Sequence, residues 1–129
     1  NIPLALQNAD DPRVAQLQVL QLEGYTIGMV NSLDLDPLND DVIPGIIARK
    51  NFPKQAVYGM VESGFSTPVD IVGFGRTLEA MVEEHDGILF VNPGSPTIPR
   101  NIMKLGQVAI LNLTAERREA KIIDLTAID

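Results

Sequence analysis

The 129-residue chain contains no cysteine and no tryptophan, and a single histidine. Without cysteine there can be no disulfide framework, no thiolate zinc site and no thiol nucleophile. Aromatic residues make up 5% of the chain, too few to build stacking platforms for bases or sugars. Positive charge is also scarce: 10 Lys and Arg against 17 Asp and Glu leave a formal net charge of −7. Long-range repulsion then opposes encounter with nucleic acid or an anionic membrane surface, and neither is expected as a partner. No apolar run is long enough to cross a bilayer, and no basic-then-apolar signal opens the chain. These absences predict a cytoplasmic location. The start at Asn1 rather than Met predicts a processed, trimmed or partial chain.

What is present is a 45% hydrophobic sequence, enough for one domain over residues 1–129 with a modest core. Its apolar residues fall in short β-rich runs punctuated by Gly and Pro. Residues 2–6 read as a buried strand that ends at the polar loop 7–12. Residues 14–22 and 25–30 read as a hairpin about Glu23-Gly24. A loop follows, in which Asp34, Asp36, Asp40 and Asp41 cluster around Pro37. The stretch 42–52 allows a short helix with Pro44 confined to its first turn. Residues 54–62 predict a better helix, with Ala56, Val57, Met60 and Val61 on one face and Ser63-Gly64 closing it.

Downstream, residues 69–74 form a continuous apolar run, the pattern of a strand covered on both faces. Residues 80–84 and 88–91 predict a hairpin about His85-Asp86-Gly87, and 108–113 with 120–125 a last hairpin about the charged stretch 116–119. Two helices beside about eight strands predict an α/β or α+β domain of two β-layers with helices outside. His85 reads as a solvated turn residue with no partner at ligand spacing. The acidic loop lacks the Gly and terminal Glu of an EF-hand, so it reads as solvated rather than as a hard-cation site.

Five segments carry a resemblance. They are Asn8-Ala9-Asp10-Asp11-Pro12, the strand 24–30 leading to Asn31, and the strand 69–74 leading to Gly75-Arg76-Thr77-Leu78. Asn92-Pro93-Gly94-Ser95 and the closing strand 107–113 complete the set. In this order and spacing they resemble the C-terminal portion of the calcineurin-like metallophosphoesterases, in the small phosphodiesterase branch. The resemblance implies a partial β-sandwich flanked by helices. The family's first Asp-x-His and Gly-Asp motifs have no counterpart in these residues. Family members use two divalent metals, Mn, Ni or Zn, to bind phosphate and acidify a bridging water.

Against that pattern, Asn31 stands where a histidine ligand is expected, and Arg76 and Leu78 replace the Gly-His-Thr-His pair. A guanidinium repels a dication and stays protonated, and Leu78 has nothing to donate. Only Asn8 is retained as a possible ligand. The resemblance therefore implies no catalytic residue, no bound metal and no cofactor, with the fold kept as an interaction or structural module. The alternative is a divalent-metal-dependent phosphodiesterase whose missing ligands come from an absent segment or another chain. Arg76 with Asn8 and Asn31 is an anion-binding candidate, against the simpler reading of Arg76 paired to Glu79 or a loop Asp. Loss of cover along the truncated side implies a homo-oligomer or a protein partner there.

Overall fold

Two tight turns organise the sheet. Glu23-Gly24 and Asp86-Gly87 each take positive φ at both positions (52° and 82°; 52° and 78°), the two-residue turn whose twist matches that of the flanking strands. The computed structural model describes residues 17–33, 42–75, 77, 79–95, 97–98 and 101–125, with side chains for all but 97–98 and 101–105. Along the chain come β1 (Leu17–Leu22), β2 (Tyr25–Val30), α1 (Ile46–Lys50), α2 (Ala56–Phe65), β3 (Ile71–Gly73), β4 (Met81–His85) and β5 (Ile88–Asn92). They are followed by β6 (Thr97–Ile98), β7 (Asn101–Leu105), β8 (Gln107–Leu113) and β9 (Arg118–Asp124).

The first five strands form one sheet in the order β1-β2-β3-β5-β4. Its centre, β2, β3 and β5, is parallel, while β1 and β4 run antiparallel at the edges. Alternate side chains of a strand point to opposite faces, and the two parities of β3 and β5 meet different partners. Val72, Ile88 and Phe90 join Val57, Val61 and Phe65 of α2 and Ile47 of α1. Ile71, Leu89 and Val91 join Ile27, and against them pack Ala109, Leu111 and Leu113 of β8 and Ala120 of β9. The protein is thus a mixed α/β domain in layers: helices, a five-stranded sheet, and a β8–β9 hairpin as the second β-layer.

The elements follow the sequence expectations in kind and differ at their ends. β1 and β2 pair about the expected turn. α1 begins only after Pro44, where Gly45 turns left-handed, and it ends at left-handed Asn51. α2 runs past Ser63-Gly64 to Phe65 and stops at left-handed Ser66; the apolar contact made by Phe65 outweighs the poor helix propensity of the residues before it. β3 is shorter than the run 69–74, although Val69 and Phe74 at its flanks are buried with it. The β6–β7 pair lies in a stretch, 97–105, to which the sequence reading assigned no element. The predicted strand 2–6 and the acidic residues Asp34, Asp36, Asp40 and Asp41 lie outside the described residues.

One close approach fixes how α2 lies on the sheet. A Cβ added at Gly28 would stand 2.6 Å from Cε1 of Phe65 and 2.8 Å from its Cζ, and the Phe65 ring is buried. G28A should therefore destabilise the domain by about 1–3 kcal/mol, as overpacking does, read from urea unfolding. The same substitution should cost less in an F65L background, where the obstructing ring is gone.

Candidate functional site

In an open sheet with parallel strands, ligands bind beyond the carboxyl ends of those strands. Here those ends lead to Asn31 after β2, Thr77 in the loop after β3, and Asn92-Pro93-Gly94-Ser95 at the end of β5. Asn31 follows β2 directly and is exposed. Its carbonyl accepts a hydrogen bond from the Gly75 N–H at 3.1 Å, and the Phe74 N–H donates to the Val91 carbonyl at 3.0 Å. The loops after β2 and β3 are thereby held side by side over the end of β5.

Asn92, the last residue of β5, is fully buried and is the polar residue of the described core. Its side chain is spent in two directions. The amide Nδ2 donates to Thr77 Oγ1 at 3.0 Å, and Oδ1 accepts from the Gly94 N–H at 2.9 Å. The second bond is the local Asx turn expected of Asn-Pro-Gly. The first, to the loop after β3, had no sequence signal: nothing in the spacing of Thr77 and Asn92 shows that a strand pair brings them together. Gly94 has φ 80°, and a Cβ there would stand 3.0 Å from Gln107 Oε1 and 3.3 Å from the Ala80 Cβ. The Gln107 N–H donates to the Ser95 carbonyl at 2.6 Å, so the turn is also tied to the start of β8.

The remaining candidates divide clearly. Asn8, Arg76 and Leu78 lie outside the described residues, so of the anion-binding trio only Asn31 is placed. His85 is a different matter. It ends β4 opposite Ile88, the first residue of β5, so it stands at the amino end of β5, away from the loops above. A five-residue strand separates the two ends by about 13–17 Å.

Nor is His85 a solvated turn residue, as the sequence had suggested. Its side chain is 18% exposed and its Nε2 lies 2.8 Å from Glu83 Oε1, with its ring tilted against Phe90 at 5.8 Å. The strand extends one residue beyond the expected end, which turns His85 onto the helix-covered face.

Acids at that end are committed to the fold. Glu83 Oε2 accepts from the Gly45 N–H at 2.7 Å, and Asp86 Oδ2 from the Tyr58 N–H in the first turn of α2 at 3.1 Å. Asp70, preceding β3, accepts the Thr26 N–H at 2.8 Å. Among the described residues no group of three or more His, Asp or Glu comes together in a way that could hold a metal ion.

Comparison with known proteins gives the same architecture. Over 79 residues the chain is 28% identical to a "Probable metallophosphoesterase" of Methanothermobacter thermautotrophicus, a match covering 61% of this chain and 45% of that protein. The solution structure of a Thermotoga maritima protein superposes with a TM-score of 0.51 at 22% identity, over 91% of this chain and 61% of the other. Entamoeba histolytica Vps29, solved with zinc, gives 0.50 at 16% identity over 84% and 60%.

The fold is that of the calcineurin-like phosphoesterases. No protein-family model matches the chain. The chain spans under half the length of the curated relative it matches. Within this phosphoesterase fold, Asn31, Thr77 and Asn92 fall at the carboxyl ends of the parallel strands.

The double use of Asn92 yields a prediction. N92A leaves the Gly94 N–H and the Thr77 hydroxyl without their partner at a fully buried position, which should cost about 1–3 kcal/mol. T77V removes one of the two bonds and should cost less. Denaturant unfolding measures both, and amide exchange at Gly94 should accelerate in N92A alone.

Proposed function

We propose that this protein is a phosphoesterase-fold module that works by presenting a folded surface rather than by dinuclear-metal hydrolysis. The observation that supports this most directly is the place of its single histidine. A dinuclear hydrolytic centre crowds imidazole nitrogens and carboxylates around two cations and leaves positions open for water and substrate. His85 is at the opposite end of the sheet from the candidate site, with Glu83 as its partner. This chain can therefore offer the site no imidazole at all. Its described oxygen donors there include the Asn31 amide, the Glu79 carboxylate and the Thr77 hydroxyl, the last already bonded to Asn92. Without an imidazole, and with no group of three or more acids and histidines together among the described residues, this donor set does not fit a pair of Mn, Ni or Zn ions.

A second reading keeps the chemistry and moves the ligands elsewhere. It draws on the 28% identity to a probable metallophosphoesterase of which the chain spans 45%. In that reading the chain is one part of a metal-dependent phosphodiesterase, and another segment or polypeptide supplies the carboxylates and histidines.

One experiment separates the two. Purified chain, incubated with Mn, Ni or Zn and then gel-filtered, should retain no stoichiometric metal by elemental analysis. It should hydrolyse bis(p-nitrophenyl) phosphate no faster than the metal-only control. Metal that survives dialysis against chelator, or turnover lost on adding chelator, would overturn the proposal in favour of the second reading.

A further inference from the structure

The two layers that cover the five-stranded sheet are attached to it very differently. The helix layer gives fully buried side chains of its own to the shared core, Ile47 of α1 with Val57, Val61 and Phe65 of α2. The hairpin layer gives none, since every residue of β8 and of β9 is at best half-buried. Ala109, Leu111, Leu113 and Ala120 are only partly buried where they pack on Ile27, Ile71, Leu89 and Val91. β8 and β9 pair with each other and with no other described strand.

Two ties stand at opposite ends of this hairpin. At its base the Gln107 N–H donates to the Ser95 carbonyl, and Gln107 opens β8 opposite Asp124, the last residue of β9. At the far end Arg118 lies opposite Leu113, and its guanidinium reaches the β4–β5 hairpin, donating to Glu84 Oε1 at 3.1 Å and to the Gly87 carbonyl. A seven-residue strand separates the two ends by about 20 Å. The base is fixed by the chain itself, which runs from β7 through Gly106 into β8. The far end is held by side chains.

The grip of Arg118 is incomplete. Both of these bonds leave from Nη2, while Nε is buried with no hydrogen-bond partner. A buried unpaired donor is costly, and it recovers water once the side chain swings free. The Glu84 side chain is 63% exposed, so its ion pair competes with solvent and adds little.

We propose that the β8–β9 hairpin is a strap that lifts off the five-stranded sheet as a unit, hinged at Gln107 and latched by Arg118, while the helix layer stays docked. Regions with few buried apolar contacts open at lower free energy than the core. A lone two-stranded hairpin is marginal in water, so detachment also loosens the β8–β9 ladder. For the brief time the strap is away, β5 remains paired with β3 and β4 and covered by the helices on its other face. The open form is a minor one because it bares Ile27, Ile71, Leu89 and Val91 to water. That apolar row is the surface the strap controls. The inference is independent of whether the candidate site binds metal.

Amide hydrogen exchange across a series of low denaturant concentrations tests this. In the wild type, amides paired across β8 and β9 should exchange through one shared opening, faster than those of α2, β3 and β5 and with a weaker denaturant dependence than global unfolding. R118M keeps an apolar stem but makes neither bond; it should speed hairpin exchange about fivefold or more and leave α2 and β5 nearly unchanged. E84A, which spares the Gly87 bond, should act in the same direction by less. R117A should change neither layer, because that side chain is 75% exposed and pairs with Glu119 of its own hairpin. Wild-type hairpin amides that exchange only together with α2 and β5, through global unfolding, would overturn the proposal without recourse to any variant. So would an R118M hairpin no looser than that of R117A.

Discussion

The constraint on which the structure depends is the two-sided burial of β5. All five residues from Ile88 to Asn92 are buried, so this strand exists only if cover arrives from both directions. Ile88 and Phe90 require the helices, while Leu89 and Val91 require the β8–β9 hairpin. Each such side chain is worth about 1.5–3 kcal/mol when fully buried. The layered architecture is the arrangement that satisfies both parities at once. The same strand ends in Asn92, so the element that organises the core also sets the loops of the candidate site.

The β4–β5 turn joins the layers by polar contacts. Asp86 meets the first turn of α2, which has no acidic residue of its own there and whose N-cap Gln55 makes no side-chain cap. A carboxylate beside a helix N-terminus satisfies an otherwise unbonded N–H and opposes the positive end of the helix dipole. Glu83 does the same for the Gly45 N–H at the entry to α1, and Arg118 reaches the turn from the hairpin layer. Glu83 and Asp86 are thus used to dock helices. That use explains why they and His85 gather at the end of the sheet away from the site.

How much of the site could be read in the sequence depended on how local each signal was. Asn92-Pro93-Gly94 announced its turn because an Asn side chain closes on the backbone two residues later, and the structure has that bond. The carboxyl-end position of Asn31 was legible too, since a strand and the residue after it are contiguous. The Thr77–Asn92 bond and the Gly28–Phe65 approach were not, because each joins residues brought together by strand pairing or helix docking. His85 was misread for a related reason. The choice between turn and strand end hinges on one residue of register, and one residue reverses the face a side chain occupies.

Outside residues 97–105, sequence alone determined the element types, the hairpin turns, the double-faced strands and the chemistry of the donors on hand. Composition and short-range periodicity depend on neighbours within a few residues, and those are fixed by the chain itself. Tertiary structure decided the sheet order, the extension of α2 to Phe65, the pairing of β6 with β7 through a proline-rich stretch, and the separation of His85 from the candidate site. Each of these rests on contacts between segments distant in sequence, whose free energy appears only once the layers close on one another.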